Sequence, residues 1–393
     1  MGMATEATVD IKTRFIRDDG KVFFVFPGNG YRHYAWMKEH SAVYLDLPGF
    51  PIPDDQNIAA LDDLVERIAV SDDIVEWHRK GMPADAIPDR DPATIGARRR
   101  SKRRAFLGGV LHGFFAGIKK GDVVIVPPKD FNDDVLFGEF IDEGDVCTSI
   151  PAPFQTGEKI PARRVRWLAR QKRMAVPGWL ERKLPSPNPV RQLERPLHKY
   201  VYDILYERYY FDGQFVCKFA IDSTDFSTLD NFLVQQIFLY ASALFENNQE
   251  ENITDISEKS LLAVVSEIEF SEDIPDQRIV IQSPGNIVLY SKNIIPLVAG
   301  VLMALSAACA GGDAPTKVKI VNSADGSQIS LSCVLDIEHE VEADMELMGT
   351  KRWVEWCKAE VEARKRTNIR PGMGTEISSQ TGQTSPLKSG SAP

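Results

Sequence analysis

The sequence predicts an α+β fold in two domains, on three observations. Short apolar runs of strand composition are interspersed with stretches of helical period. A segment with four prolines, LPSPNPVRQLERPLH (184–198), interrupts both near the middle of the chain. Charge divides at the same place. Residues 1–200 carry a surplus of three positive charges and residues 201–393 a surplus of thirteen negative ones, for a total of −10. A chain of 393 residues has room for two ordinary domains.

Taken in order, residues 1–15 are polar and predict a flexible N-terminus. KVFFVF (21–26) predicts a strand ending in the turn signal PGNG, and SAVYLDLPGF (41–50) a second strand. LDDLVERIAV and DIVEWHRK, within 54–80, read as helical. The three-proline stretch 81–94 reads as a loop. The segment from Gly96 opens with six basic residues in the seven positions 98–104, then places Phe106, Leu107, Val110, Leu111, Phe114 and Phe115 at helical spacing. GDVVIVPP, DVLFGEFIDE and RRVRWLA predict three more strands, and these elements make one domain over 16–183.

The proline-rich segment 184–198 predicts a connection to a second domain over 199–369. KYVYDILYERYYF reads as helix. Ser227 with Asp230 is a capping pattern ahead of a helical stripe through Leu229, Phe232, Leu233, Ile237, Tyr240, Ala241 and Leu244. LLAVVSEIEF, QRIVIQ and GNIVLYS predict an antiparallel sheet, with Ser283-Pro284-Gly285 as turn chemistry. IIPLVAGVLMALSAACAGG predicts a very apolar helix, short and poorly flanked for a membrane span. A hairpin around Asp325-Gly326, a last helix over 351–367 and a disordered tail over 370–393 complete the expectation.

The richest stretch for chemistry is FPGNGYRHYAW (26–36). Tyr31, His33, Tyr34 and Trp36 crowd a loop in which Gly28 and Gly30 let backbone approach closely. Such aromatics can stack on a base, at roughly 1–3 kcal/mol per base. Equally, Tyr34 and Trp36 can face inward as core at the start of a helix.

The order of features adds to this. GIKKGDVVIVPPKDFNDDVLFGEF (117–140) runs from a helix end through Lys-Lys-Gly-Asp and a strand ending in proline to an apolar strand with Gly-Glu. RRVRWLARQKRMAVPGWLERKLPSP then combines a Val-x-Trp strand with basic residues and a proline-rich exit. With the opening strand and Trp36, this set resembles the PUA-like and EVE-like small β-barrels fused to Mrr-type restriction enzymes and other prokaryotic defence proteins. The resemblance spans about residues 20–190, and none of its motifs is specific by itself.

The resemblance implies a compact barrel with helices that binds DNA or RNA, including modified bases flipped into an aromatic pocket. Carried over, Gly28, Tyr31, His33, Tyr34, Trp36, Gly138 and Glu139 would hold the base. Arg98, Arg99, Arg100, Lys102, Arg103, Arg104, Arg163, Arg164, Arg166 and Arg170 would meet the phosphate backbone. The long insertion before the basic helix departs from the pattern. The basic residues have a second reading, as partners of the acidic half.

Other chemistries are poorly served. The five cysteines are scattered without a CxxC pair, which points away from disulfides and zinc and toward a reducing cytoplasm. The N-terminus has no secretory pattern. The six histidines form no HxxxH pair, and there is no GxxxxGK[ST] and no GxSxG. Asp336, Glu338, Glu340 and Glu342 offer carboxylates for a nuclease, without the following lysine that a PD-(D/E)xK site requires. The expectation is therefore a nucleic-acid sensor of an anti-phage defence or restriction system, with no cofactor, metal or catalytic residue. Its second domain would serve assembly, as a homo-oligomer or with a partner subunit, or act as effector, and membrane association is not expected. The alternatives are a scaffold that binds a small nucleotide or a protein, and a nuclease with an unrecognised site.

Overall fold

A computed structural model describes residues 5–53, 57–95, 101–144, 146–185, 188–249, 263, 274–280, 285–308, 314–324 and 331–379. In chain order the strands are β1 (Thr5–Asp10), β2 (Arg14–Phe15), β3 (Val22–Val25), β4 (Ala42–Tyr44), β5 (Val123–Val126), β6 (Asp134–Phe140), β7 (Thr148–Pro151), β8 (Lys159–Lys172), β9 (Val190–Gln192), β10 (Arg208–Phe211), β11 (Gln214–Ile221), β12 (Asp276–Val280), β13 (Gly285–Ser291), β14 (Lys317–Val321) and β15 (Gly374–Ser379). The helices are α1 (Tyr34–His40), α2 (Leu64–Arg79), α3 (Lys102–Ala116), α4 (Gly178–Glu181), α5 (His198–Leu205), α6 (Thr228–Gln249), α7 (Ile295–Ala308) and α8 (Leu331–Thr367). The mixture is α+β, as the sequence predicts.

The chain forms two compact units, Asp19–Leu205 and Met1–Asp18 with Tyr206–Pro393. In Asp19–Leu205, a seven-stranded sheet runs β4-β8-β6-β5-β3-β9, with β7 also on β8. It is antiparallel except where β3 and β5 run parallel. The sheet is a curled half-barrel, and among the described residues its end strands β4 and β9 do not pair with each other. All four side chains of β3 and all four of β5 are buried, because these central strands are covered on both faces.

Helix α3 starts where Ser101 Oγ accepts the Arg104 N–H. It buries Leu111, Phe114 and Phe115 and packs Leu107 and Val110 against the core, so of the predicted stripe only Phe106 is left exposed. Arg163 is fully buried. Its guanidinium donates to the carbonyls of Phe114 (2.9 Å), Ile118 (2.8 Å) and Asp142 (2.8 Å) and lies 4.6 Å from the Phe140 ring.

Three predicted boundaries move. The N-terminus is no loose leader: β1 pairs with β14 on one side and β15 on the other, which takes residues 5–18 into the unit of the C-terminal half. The proline-rich segment is no free linker, since β9 pairs antiparallel with β3 through Phe23, Phe24 and Val25. The tail is ordered as far as Ser379 by its pairing with β1, and residues 380–393 lie outside the described residues. All three pairings are long-range, and a period-2 pattern in a short polar strand is too weak to announce them.

The second unit holds a five-stranded sheet, β12-β13-β11-β10-β2, antiparallel except for β2 with β10. A three-stranded sheet, β14-β1-β15, accompanies it. KYVYDILYERYYF divides into α5 and β10 rather than forming one helix. The expected hairpin about Asp325-Gly326 is not formed as read, because residues from Leu331 onward are helical; positions 325–330 lie outside the described residues. The same holds for LLAVVSEIEF apart from residue 263, and for Ser283 and Pro284.

Helix α7 is 14 residues long and buried throughout Ile295–Ser306. Among the described residues no helix is long and apolar enough to cross a membrane, which corrects the weight given to its apolarity. It is packed as core against α6, α8 and the strands β1, β11 and β13.

The cap predicted at α6 is formed. Asp230 accepts from the Ser227 N–H (2.8 Å) and hydroxyl (2.7 Å), Ser227 Oγ accepts the Asp230 N–H, and Arg366 donates to Asp230 at 2.6 Å. Ser227 and then Arg366 draw the Asp230 pKa down to about 2 from its ordinary 3.8. A depressed folded-state pKa adds stability that is fully present above pH 3.8 and is lost as pH falls toward 2. Acid titration of thermal stability is therefore expected to show a loss in that window that Asp230→Asn removes. An identical acid profile in the variant would refute the assignment.

Candidate functional site: the loop after the first strand of the half-barrel

The FPGNGYRHY segment joins β3 to α1 with three residues in left-handed backbone: Gly28 (φ 72°), Gly30 (φ 65°) and Tyr31 (φ 61°). Gly28, with ψ 177°, is in a region only glycine adopts readily. A β-carbon there would sit 2.4 Å from His33 Cδ2, so Gly28 is also what admits the His33 ring.

His33 is buried. Its Nδ1 lies 3.2 Å from the Tyr44 hydroxyl and its Nε2 lies 3.1 Å from Asp46 Oδ2, which also pairs with Arg32. Burial and then the Asp46 charge push the Tyr44 phenol far up, so it keeps its proton and can donate to Nδ1. Burial pushes the Asp46 carboxyl up, but hydrogen bonds and charge from His33 and Arg32 outweigh it and hold the group below the usual range. The network fixes Arg32, whose guanidinium lies 5.0 Å over the Phe154 ring; that ring is half exposed and tilted against His33 at 5.3 Å. His33, closed off from solvent, is a clamp for the loop.

The remaining predicted aromatics are used differently. Tyr34 donates its hydroxyl to the Asp134 carbonyl, which ties α1 to β6. Trp36 stacks on His40 (4.1 Å, 24°) and packs against the core, as the core reading of these residues held. Gly138 sits opposite Trp167 at a β-bulge, where a β-carbon would meet Arg166 O at 2.7 Å. Glu139 is buried and pairs with Arg166 at 3.1 Å. A cleft of about 650 Å³ elsewhere in this unit is lined by Asp73, Glu76, Trp77, Lys80, Pro83 and Asp89, and includes none of the predicted base-binding residues. Gly28 and His33 thus come together, with Tyr31 beside them in sequence, while Tyr34, Trp36, Gly138 and Glu139 serve packing and pairing.

Among the predicted phosphate contacts, Arg163 is corrected outright: a fully buried guanidinium engaged by three carbonyls cannot meet a backbone. Arg103 and Arg104 pair with Asp72 (3.0 and 2.7 Å), and Arg164 with Asp142 (2.6 Å). These partners belong to the same unit. Lys102 and Arg170 are exposed, and Arg98, Arg99 and Arg100 lie outside the described residues.

Tyr44, Asp46 and Phe154 were not singled out in sequence. YLDLPGF carries the first two as an unremarkable strand and turn, and nothing local marks Phe154. Asp336, Glu338, Glu340 and Glu342, the carboxylates of the nuclease alternative, all lie on α8 rather than on strands. Among the described residues no group of three or more His, Cys, Asp or Glu is placed to hold a metal.

Fold and site together define a half-barrel carrying a clamped, glycine-dependent loop. Compared with family models, curated proteins and solved structures, the chain matches none.

Proposed function

We propose that the chain is a nucleic-acid sensor, one that reads modified bases as part of a prokaryotic anti-phage defence or restriction system. The unit Asp19–Leu205 binds the nucleic acid in the cytoplasm. The unit of the C-terminal half assembles with further copies or a partner subunit, or acts as effector. The observation that carries this reading is the strained left-handed backbone of Tyr31, in a loop that turns at Gly28 and Gly30 and is held by buried His33, beside Arg32 and the half-exposed Phe154. Backbone strain persists only where surrounding structure enforces it, and it clusters at ligand sites. The likeness to PUA-like and EVE-like barrels supports the same reading.

Labelled DNA and RNA, modified and unmodified, titrated with the full chain at 50 and 200 mM salt, test the proposal. Binding is expected to weaken steeply between the two salts, by an amount set by the number of phosphates engaged. The Arg98/Arg99/Arg100 triple alanine variant is expected to flatten that dependence. Phe154→Ala is expected to cost roughly 5- to 100-fold in affinity, the equivalent of one stacked base. Absence of binding to every nucleic acid tried overturns the proposal. One observation favours the scaffold alternative: Arg103, Arg104, Arg164 and Arg166 are already paired with acids of their own unit. Under that reading a bound small nucleotide would be nearly insensitive to salt.

A further inference from the structure

Strand β9 ends the half-barrel sheet, and among the described residues it pairs only with β3. The Leu193 N–H meets the Val22 carbonyl and the Phe26 N–H meets the Pro189 carbonyl, both at 2.8 Å. Backbone groups of an antiparallel strand alternate in direction, so Arg191, opposite Phe24, also faces β3. Val190 and Gln192 therefore turn their N–H and C=O groups outward, where no described residue pairs with them. A strand edge of this kind is a template for another chain. Its three residues offer only those two donors and two acceptors, so flanking side chains must decide what pairs with it.

The same two residues border a cavity. About 280 Å³ of space lies between the sheet edge, at Phe23, Val190 and Gln192, and helix α3, at Val110 and Gly113. Val190 and Gln192 stand opposite Val25 and Phe23, which belong to one core cluster with Leu111 and Phe114 of α3. Part of the space is the missing side chain of Gly113, where a β-carbon would meet nothing within 4 Å. Lys21 also lines the cavity. Buried Asp122 accepts the N–H groups of Lys21 (3.0 Å) and Lys119 (2.8 Å), which gathers Lys21, Lys119 and Lys120 in one place. Lys119 pairs with Asp19 at 2.6 Å, whereas Lys21 and Lys120 have no ion pair among the described residues. The open strand edge thus adjoins an apolar cavity and a surplus of positive charge.

We propose that β9 and the cavity beside α3 dock an extended, acidic peptide segment of a partner protein, which joins the sheet as a further strand. Val190 and Gln192 hold its main chain, the cavity takes an apolar side chain, and Lys21 meets a carboxylate. Side chains on one face of a strand recur every second residue, so the segment carries Asp or Glu two positions from the apolar residue. Main-chain bonds supply affinity without regard to sequence, and the cavity with its lysine supplies the choice of sequence. The surface includes none of the residues assigned to base binding and stands independently of the nucleic-acid reading. Sequence reasoning missed it because 184–198 read as a connection, and a connection has no sheet edge.

A phage-displayed library of random octapeptides, selected on the immobilised full chain, tests this. The selected sequences are expected to converge on an apolar residue with Asp or Glu two positions away. The most enriched sequence, made as a fluorescein-labelled peptide, is then titrated by fluorescence polarisation with wild type and variants. Gln192→Pro keeps the pairing with β3, because the N–H it removes points outward, and is expected to weaken binding about three- to tenfold. Gly113→Leu favours helix α3 and fills the cavity, and it is expected to abolish binding. Lys21→Glu is expected to reject the acidic peptide. A selection that does not converge overturns the proposal. So does equal affinity of wild type, Gly113→Leu and Lys21→Glu for the selected peptide. Sedimentation showing concentration-dependent dimers that Gln192→Pro abolishes also overturns it, by assigning the edge to a second copy of the chain.

Discussion

Arg163→Met is expected to destabilise the Asp19–Leu205 unit by roughly 3–5 kcal/mol, because three buried carbonyls lose their donors together. Those carbonyls end α3 at Phe114, continue beyond it at Ile118, and follow β6 at Asp142. The guanidinium therefore joins one helix and two chain segments to β8, and no methionine or lysine reproduces its planar fork. For a unit of this size the melting temperature should fall by about 10 °C. The prediction also separates two roles for this residue. A phosphate-binding arginine could be replaced at little cost in stability and a large cost in nucleic-acid affinity. An unchanged melting temperature in Arg163→Met would show that the buried clasp is wrong.

Gly28→Ala is expected to disrupt the loop between β3 and α1. The backbone at Gly28 (φ 72°, ψ 177°) excludes a β-carbon on conformational grounds, and the space is filled by the His33 ring 2.4 Å away. Strain of this kind costs of order 1–3 kcal/mol, and the clash adds to it. His33 must then leave the Tyr44 hydroxyl and Asp46, which releases Arg32. Gly30→Ala is the control: its φ is also positive, at 65°, but a β-carbon there meets nothing within 4 Å. Melting of the two variants should differ by at least about 1 kcal/mol in the order Gly28 below Gly30. Under the proposed function, nucleic-acid affinity should follow the same order. Equal stability and equal affinity in both variants would remove the loop from consideration as the site.

The sequence by itself determined the elements whose signals are local. The buried strands 22–25 and 123–126, the helix capped by Ser227 and Asp230, and the buried helix 295–308 follow from apolar runs, from stripes of helical period and from capping chemistry. It also marked the Gly28–Trp36 loop, because two glycines among aromatics after a strand are unusual. Only the tertiary structure decided where residues 5–10, 190–192 and 374–379 belong. Strand partners more than a hundred residues apart leave no trace in local pattern. The roles of the charged residues were decided there as well. Sequence counts a basic surplus over 151–200, but only packing shows that Arg163 is buried under α3 and that Arg103 and Arg104 share Asp72. The same is true of the site. Phe154, Tyr44 and Asp46 reach His33 because β4, the turn that follows it and the loop after β7 converge on the strained loop. Charge and aromaticity are properties of residues, whereas exposure and partnership are properties of the fold, and function depends on the latter pair.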